Sequence, residues 1–200
     1  MRAQPWSTAA QEAQTRTPRE QPPCPRSRTS ALKNSRACCR HHLAGHKDSM
    51  MTDEELIALA REAALEAYAP YSGFEVGCAI ESIDGRIVTG ANVENACYRL
   101  GICAEQHALA NAQAKFGIHN VARIAVAGGH VLAGSLFGEQ VVTPCGGCRQ
   151  AILEAAQLGN AMDIEIVCAS GDGKQVERHS ISTLLPHSFG PANLRDANPA

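Results

Sequence analysis

With 200 residues, 19% of them charged and 4% aromatic, the chain is sized for one domain and a tail, and its formal net charge is only -2. That total conceals an asymmetry: residues 1–50 hold nine Lys/Arg against three Asp/Glu, a net of +6, and residues 51–200 hold nine against seventeen, a net of -8. A domain that acidic is unsuited to wrapping DNA or RNA, where affinity rests on neutralising phosphates, and no stretch approaches the roughly 18 apolar residues of a membrane span.

Residues 1–49 are rich in Pro, Arg, Ser, Gln and Thr and nearly free of large aliphatic residues, so they have no material for a core. They lack the apolar h-region of a secretory signal and the amphipathic period of a transit peptide. Cys38-Cys39 with His41, His42 and His46 matches no standard zinc spacing. The expectation is a disordered extension, or one created by a start codon assigned too early, since Met50-Met51 stands directly before the first ordered element.

That element opens with the capping box Thr52-Asp53-Glu54-Glu55, and apolar residues at helical spacing carry a helix to about Tyr68, with Pro70 ending it. Val76–Ile83 and Arg86–Thr89 read as a hairpin turning on Asp84-Gly85. Ala91–Ile102 is a polar loop. Ala104 to about Phe116 is a helix, Ala122–Ala127 a buried strand, and Gly146 to Leu158 another helix. Ile164–Ala169 is a buried strand, Gln175–His179 a weaker one, and Ile181–Leu185 a short helix before Pro186. Strands alternating with helices indicate an α/β sandwich on a mixed sheet, with residues 50–200 as its domain.

The chemistry concentrates in Cys103-Ala104-Glu105 and Pro144-Cys145-Gly146-Gly147-Cys148. Three thiolates around zinc leave one coordination position open, as a catalytic site requires. Both motifs fall at helix N-termini, where backbone N–H groups favour the thiolate. Cys145 and Cys148 share one turn; Cys103 supplies a third ligand, for one Zn2+ per chain. Zinc lowers the pKa of a bound water to about 7, and Glu105, two residues beyond a ligand, is placed to carry protons. The arrangement is the three-cysteine form of the zinc-deaminase pattern H-x-E with P-C-x-x-C. His107 would close the site as a fourth ligand and is expected to pack or face solvent instead. The remaining cysteines of the domain, Cys78, Cys97 and Cys168, read as small hydrophobes rather than a disulfide framework, which suits the reducing cytoplasm.

Five segments carry a resemblance: Tyr68-Ala69-Pro70-Tyr71-Ser72-Gly73-Phe74, Asn92 to Tyr98, Gly101 to Glu105, Pro144 to Gln150, and Leu184 to Pro191. In this order, over about residues 52–195, the chain resembles the short, homotetrameric cytidine deaminases. The resemblance implies a three-layer α/β sandwich with a mixed central sheet, and hydrolytic deamination of cytidine and 2′-deoxycytidine in pyrimidine salvage. It also implies site roles. Asn92 and Glu94 would grip the ribose hydroxyls and Phe74 would stack on the pyrimidine. The Ala104 carbonyl would accept from the exocyclic amine. Ala96 and Tyr98 would border the 5′ end of a neighbouring subunit's site, and Phe189 would close over the base from another subunit. One departure stands out: many members have arginine directly after the catalytic glutamate to offset the three thiolates, whereas this chain has Gln106. Arg149, adjacent to Cys148, is the expected substitute. The competing readings are a deaminase of another cytosine nucleoside, of the blasticidin-S type, and a zinc-stabilised binding module without chemistry.

Overall fold

The computed structural model describes residues 50–159 and 163–195; the expectations for residues 1–49, including Cys38-Cys39 and its histidines, lie outside the described residues. Helix α1 (Asp53–Ala64) begins at the expected capping box. The Glu55 N–H donates to the Thr52 hydroxyl at 3.3 Å, and the Thr52 N–H donates to the Glu55 carboxylate at 2.8 Å. The helix ends four residues short of Tyr68, because Tyr68 is claimed elsewhere. Its N–H donates to the Asn92 carbonyl at 3.0 Å, and its carbonyl accepts from the Glu94 N–H at 2.8 Å. The polar loop is thereby tied to the end of the first helix.

Strands β1 (Glu75–Ser82) and β2 (Ile87–Ala91) form the expected hairpin, but four residues rather than two separate them. Ser82 N–H donates to the Arg86 carbonyl at 2.9 Å, and Gly85 takes the left-handed conformation, φ 78°, that such a loop needs. Helix α2 spans Ala104–Lys115 and helix α3 Gly146–Leu158, close to expectation. Strand β3 (Val121–Leu132) outruns the expected Ala122–Ala127, because its last residues pair with β4 (Ser135–Phe137), a strand too short to show a period. Strands β5 (Glu165–Ser170) and β6 (Val176–Ser180) are followed by the short helices α4 (Ile181–Leu184) and α5 (Pro191–Arg195), the last unanticipated.

The sheet order is β2-β1-β3-β5-β6, with β4 beside β3. Only β3 and β5 run parallel, so the sheet is mixed as expected. Alternation along the strands separates two buried faces. Cys78, Ile80, Ile124, Val126, Ile166 and Cys168 meet α2 and α3, while Ala79, Ala125, Ala127, Val167 and Ala169 meet α1. The result is a three-layer sandwich. Full burial of one large aliphatic side chain is worth about 1.5–3 kcal/mol. Most such residues, including Ile80, Ile124, Ile152 and Ile166, lie on the α2/α3 side, beneath the cysteine motifs. Helices approach the sheet closely through glycine: a Cβ on Gly77 would stand 1.9 Å from the Ala60 carbonyl oxygen, and one on Gly90 2.4 Å from the Ala108 nitrogen. Gly90 therefore sets the depth at which α2, which carries Glu105, lies on β2.

Candidate active site

Cys103 is the N-cap of α2 and Cys145 the N-cap of α3, with Cys148 in the first turn of α3. The two helix starts bring three sulfurs within 4.8 Å of one another. Cys103 Sγ lies 3.9 Å from Cys145 Sγ, and Cys145 Sγ 3.5 Å from Cys148 Sγ. Sulfurs bound tetrahedrally to zinc at about 2.3 Å stand about 3.8 Å apart, so the cluster has the dimensions of a zinc site. Its electrostatics agree. Burial, and then the Glu105 charge, push the Cys148 thiol far above its ordinary range, and burial raises Cys103 as well. Burial acts the same way on Cys145, but hydrogen bonds from the Cys148 backbone N–H, the Cys148 and Cys103 thiols and the Gly147 N–H together outweigh it and lower that thiol. Three thiols gathered at two helix N-termini are a set whose protons a bound dication displaces, because the metal takes the thiolate as ligand.

Glu105 sits in the first turn of α2 and is only 4% exposed. Burial raises its carboxyl; a hydrogen bond with Cys148 acts in the opposite direction. A buried carboxyl raised in this way, hydrogen-bonded to a ligand sulfur, holds a proton more readily than an exposed one. His107 is no ligand: its Nδ1 lies 3.0 Å from the Ala91 carbonyl, which ties α2 to the end of β2. Arg149 does not contact the thiols either. It donates to the Pro144 carbonyl at 2.7 Å, the Leu184 carbonyl at 3.0 Å and the Thr143 hydroxyl at 3.4 Å. Its planar fork braces the α3 N-terminus against the chain before it and the end of α4. The Gln106 amide reaches toward the same N-terminus, 3.8 Å from where a Cβ on Gly147 would stand.

The remaining expected residues lie in the 68–74 and 92–98 segments, at the start of α2 and at Phe189. Glu94 accepts from Tyr71 N–H at 2.9 Å, Ser72 N–H at 3.2 Å and the Ser72 hydroxyl at 2.5 Å. Those bonds, the hydroxyl's first, hold its carboxyl below the usual range. Asn92 is engaged with the backbone on both sides of its amide, accepting from Val76 N–H at 2.8 Å and donating to the Phe74 carbonyl at 3.0 Å. Its first role is thus to hold the half-buried Phe74 at the head of β1. Ala104 is buried at the first helical position, its carbonyl beside Gly90. Ala96 and Tyr98 are exposed, as is Phe189, whose carbonyl accepts from Gln150 at 2.9 Å. A cavity of about 340 Å³ opens beside Glu94, lined also by Tyr71, Ser72, Asn95, Tyr98 and Gly101. Its size is that of a small-molecule site. Tyr71 and Ser72 have no role assigned from the sequence alone; a Tyr-Ser pair followed by glycine before a strand is the sign of a structured loop.

Residues 50–160 match the family model for the cytidine and deoxycytidylate deaminase zinc-binding region. The chain belongs to the cytidine deaminase family. It is 35% identical over 144 residues to the cytidine deaminase of Sporosarcina psychrophila, covering 72% of this chain and 96% of that relative. It is 40% identical over 135 residues to the cytidine deaminase of Mycobacterium tuberculosis, covering 68% and 87%. Among solved structures, the cytidine deaminase of Burkholderia pseudomallei aligns with a TM-score of 0.60 at 38% identity, over 70% of this chain and 100% of that one. That of Mycobacterium tuberculosis aligns with a TM-score of 0.54 at 35% identity, over 70% and 99%. In this zinc-dependent deaminase, the Cys103, Cys145 and Cys148 cluster fits one zinc ion per chain. Among the described residues no helix is long and apolar enough to cross a membrane.

Proposed function

We propose that the protein converts cytidine and 2′-deoxycytidine to uridine and 2′-deoxyuridine, releasing ammonia, in pyrimidine salvage in the cytoplasm. The observation that carries this reading is the buried Glu105 against a three-thiol cluster at two helix N-termini. Zinc bound there supplies the Lewis acidity that makes water a nucleophile at neutral pH. Glu105 takes the proton the water sheds and delivers it to N3 of the pyrimidine as oxygen adds at C4. A second proton passes through the same carboxylate to the exocyclic nitrogen, the C4–N bond breaks, and ammonia leaves. The raised carboxyl suits both directions of transfer.

Glu94 and the second amide hydrogen of Asn92 hold the ribose hydroxyls, and Phe74 stacks on the base. Among the described residues the cavity beside Glu94 is lined by a carboxylate and no Lys or Arg, which favours a nucleoside over a nucleotide. Phe189 is 65% exposed and Tyr98 82%, a large aromatic surface to leave beside a site that must exclude water. Both, with Ala96, are assigned to contacts with neighbouring subunits in a homotetramer. Residues 50–200 are the deaminase domain in this reading, so deleting residues 1–49 leaves zinc content and turnover unchanged.

The test is uridine formation from cytidine by purified protein, with zinc quantified per chain and deoxycytidylate as the phosphorylated control. Turnover of both nucleosides with one zinc per chain is expected. Folded, zinc-loaded protein that releases no ammonia from either nucleoside overturns the proposal.

A further inference from the structure

Beyond Gly128, where its pairing with β5 ends, β3 continues to Leu132 in the hairpin with β4. Gly129 permits the crossing, because a Cβ there would stand 1.9 Å from the Phe137 carbonyl oxygen. Ala133 and Gly134, with φ 50° and 77°, are the two left-handed residues of a tight hairpin turn. The hairpin is also fastened to the head of β1: Gly129 pairs with Glu75, and the Val131 N–H donates to the Glu75 carboxylate at 3.1 Å. This brings His130 against the Gly73-Phe74 segment. Its Nδ1 lies 2.6 Å from the Gly73 carbonyl, and its ring stands perpendicular to Phe74, with centroids 5.4 Å apart at 89°. A carbonyl can only accept, so Nδ1 carries the proton. The perpendicular arrangement is the attractive one for two aromatic rings.

The loop from Tyr71 to Phe74 is therefore held at two places. Glu94 takes its first half through Tyr71 and Ser72, and His130 takes its second half through Gly73, itself in the left-handed region at φ 62°. We propose that His130 is a positioning residue: through Gly73 and Phe74 it fixes the aromatic face on which the substrate pyrimidine stacks, so the β3–β4 hairpin sets affinity for the base. This rests on the assignment of base stacking to Phe74 made above.

Steady-state kinetics with cytidine, on zinc-loaded full-length chain, test it with His130→Ala, His130→Asn, Phe74→Ala and the double variant His130→Ala/Phe74→Ala. Loss of one ring contact and one hydrogen bond should raise KM for His130→Ala roughly three- to tenfold. The value of kcat should stay within about twofold, the pattern of lost uniform binding. Zinc content should not change, and Tm should fall by no more than a few degrees. His130→Asn keeps an N–H donor near the Nδ1 position and should recover part of the loss. In the Phe74→Ala background His130→Ala should have almost no effect, because the contact it supports is gone. If Phe74→Ala raises KM and His130→Ala does not, or if the two effects simply multiply, His130 does not act through Phe74. If His130→Ala sheds zinc, or lowers Tm by much more than a few degrees along with kcat, its role is structural and the proposal is wrong. If Phe74→Ala itself leaves KM unchanged, the stacking assignment fails and takes the proposal with it, a pattern distinct from the others.

Discussion

Replacing Glu105 with glutamine separates the proton-transfer role from zinc binding and packing. The side chains are nearly isosteric, and Glu105 is 4% exposed, so the substitution opens no cavity and leaves the three thiols in place. What it removes is a carboxyl that can both take and give a proton. General acid–base catalysis is worth typically 10²–10⁴-fold, which at about 1.4 kcal/mol per tenfold corresponds to roughly 3–5 kcal/mol of barrier. Turnover of cytidine should fall by at least that factor with one zinc per chain retained. Stability should move the other way in zinc-free protein. Burial raises the folded-state carboxyl above its unfolded value of about 4.3, so the folded state holds the proton longer. Its contribution is fully present below the unfolded value and is lost as pH rises through the folded one. Glu105→Gln should therefore flatten the decline in zinc-free stability above about pH 4, measured by denaturant melts across pH. Near-normal turnover in the zinc-loaded variant would refute the assigned mechanism.

Three further outcomes are expected. Arg123 is joined to Asp53, Glu81 and Glu165 across the α1 face, and Glu81 has 1% side-chain exposure; Arg123→Ala leaves that carboxylate buried and should cost about 3–5 kcal/mol in denaturant unfolding. Gly90→Ala puts a Cβ 2.4 Å from the Ala108 nitrogen, so α2 must shift; a loss of about 1–3 kcal/mol or more, with a fall in kcat, should appear in melts and turnover. If the chain assembles as the proposed homotetramer, mixing inactive Glu105→Gln chains with strongly impaired Phe189→Ala chains should restore activity, because some hybrid sites would pair an intact Glu105 with an intact Phe189; verified hybrids without recovery would mean that Phe189 acts within its own chain or not at all.

The elements with the strongest local chemistry were legible in the sequence. The Thr52 capping box, the helices following Cys103 and Cys145, and the short buried strands all appear within a few residues of where pattern alone puts them. The zinc ligands were legible for the same reason: a three-residue spacing on one helical turn is a local geometric fact, and each cysteine pair or cysteine-glutamate pair lies within a few residues. What depends on distant segments was not. Helix α1 stops at Ala64 because the Asn92–Glu94 backbone captures Tyr68, a pairing across two dozen residues that no helical period records. Strand β3 extends to Leu132 because β4 and the head of β1 pair with its end, and β4 alone is too short to announce itself. Charge complementarity suggested Arg149 as partner to the thiolates, but the guanidinium is occupied by two carbonyls and a hydroxyl that only the fold brings to it. Asn92 and His130 follow the same rule. Their residue types were visible in the sequence, and the backbone groups they hold around Phe74 came into reach only when the sheet assembled.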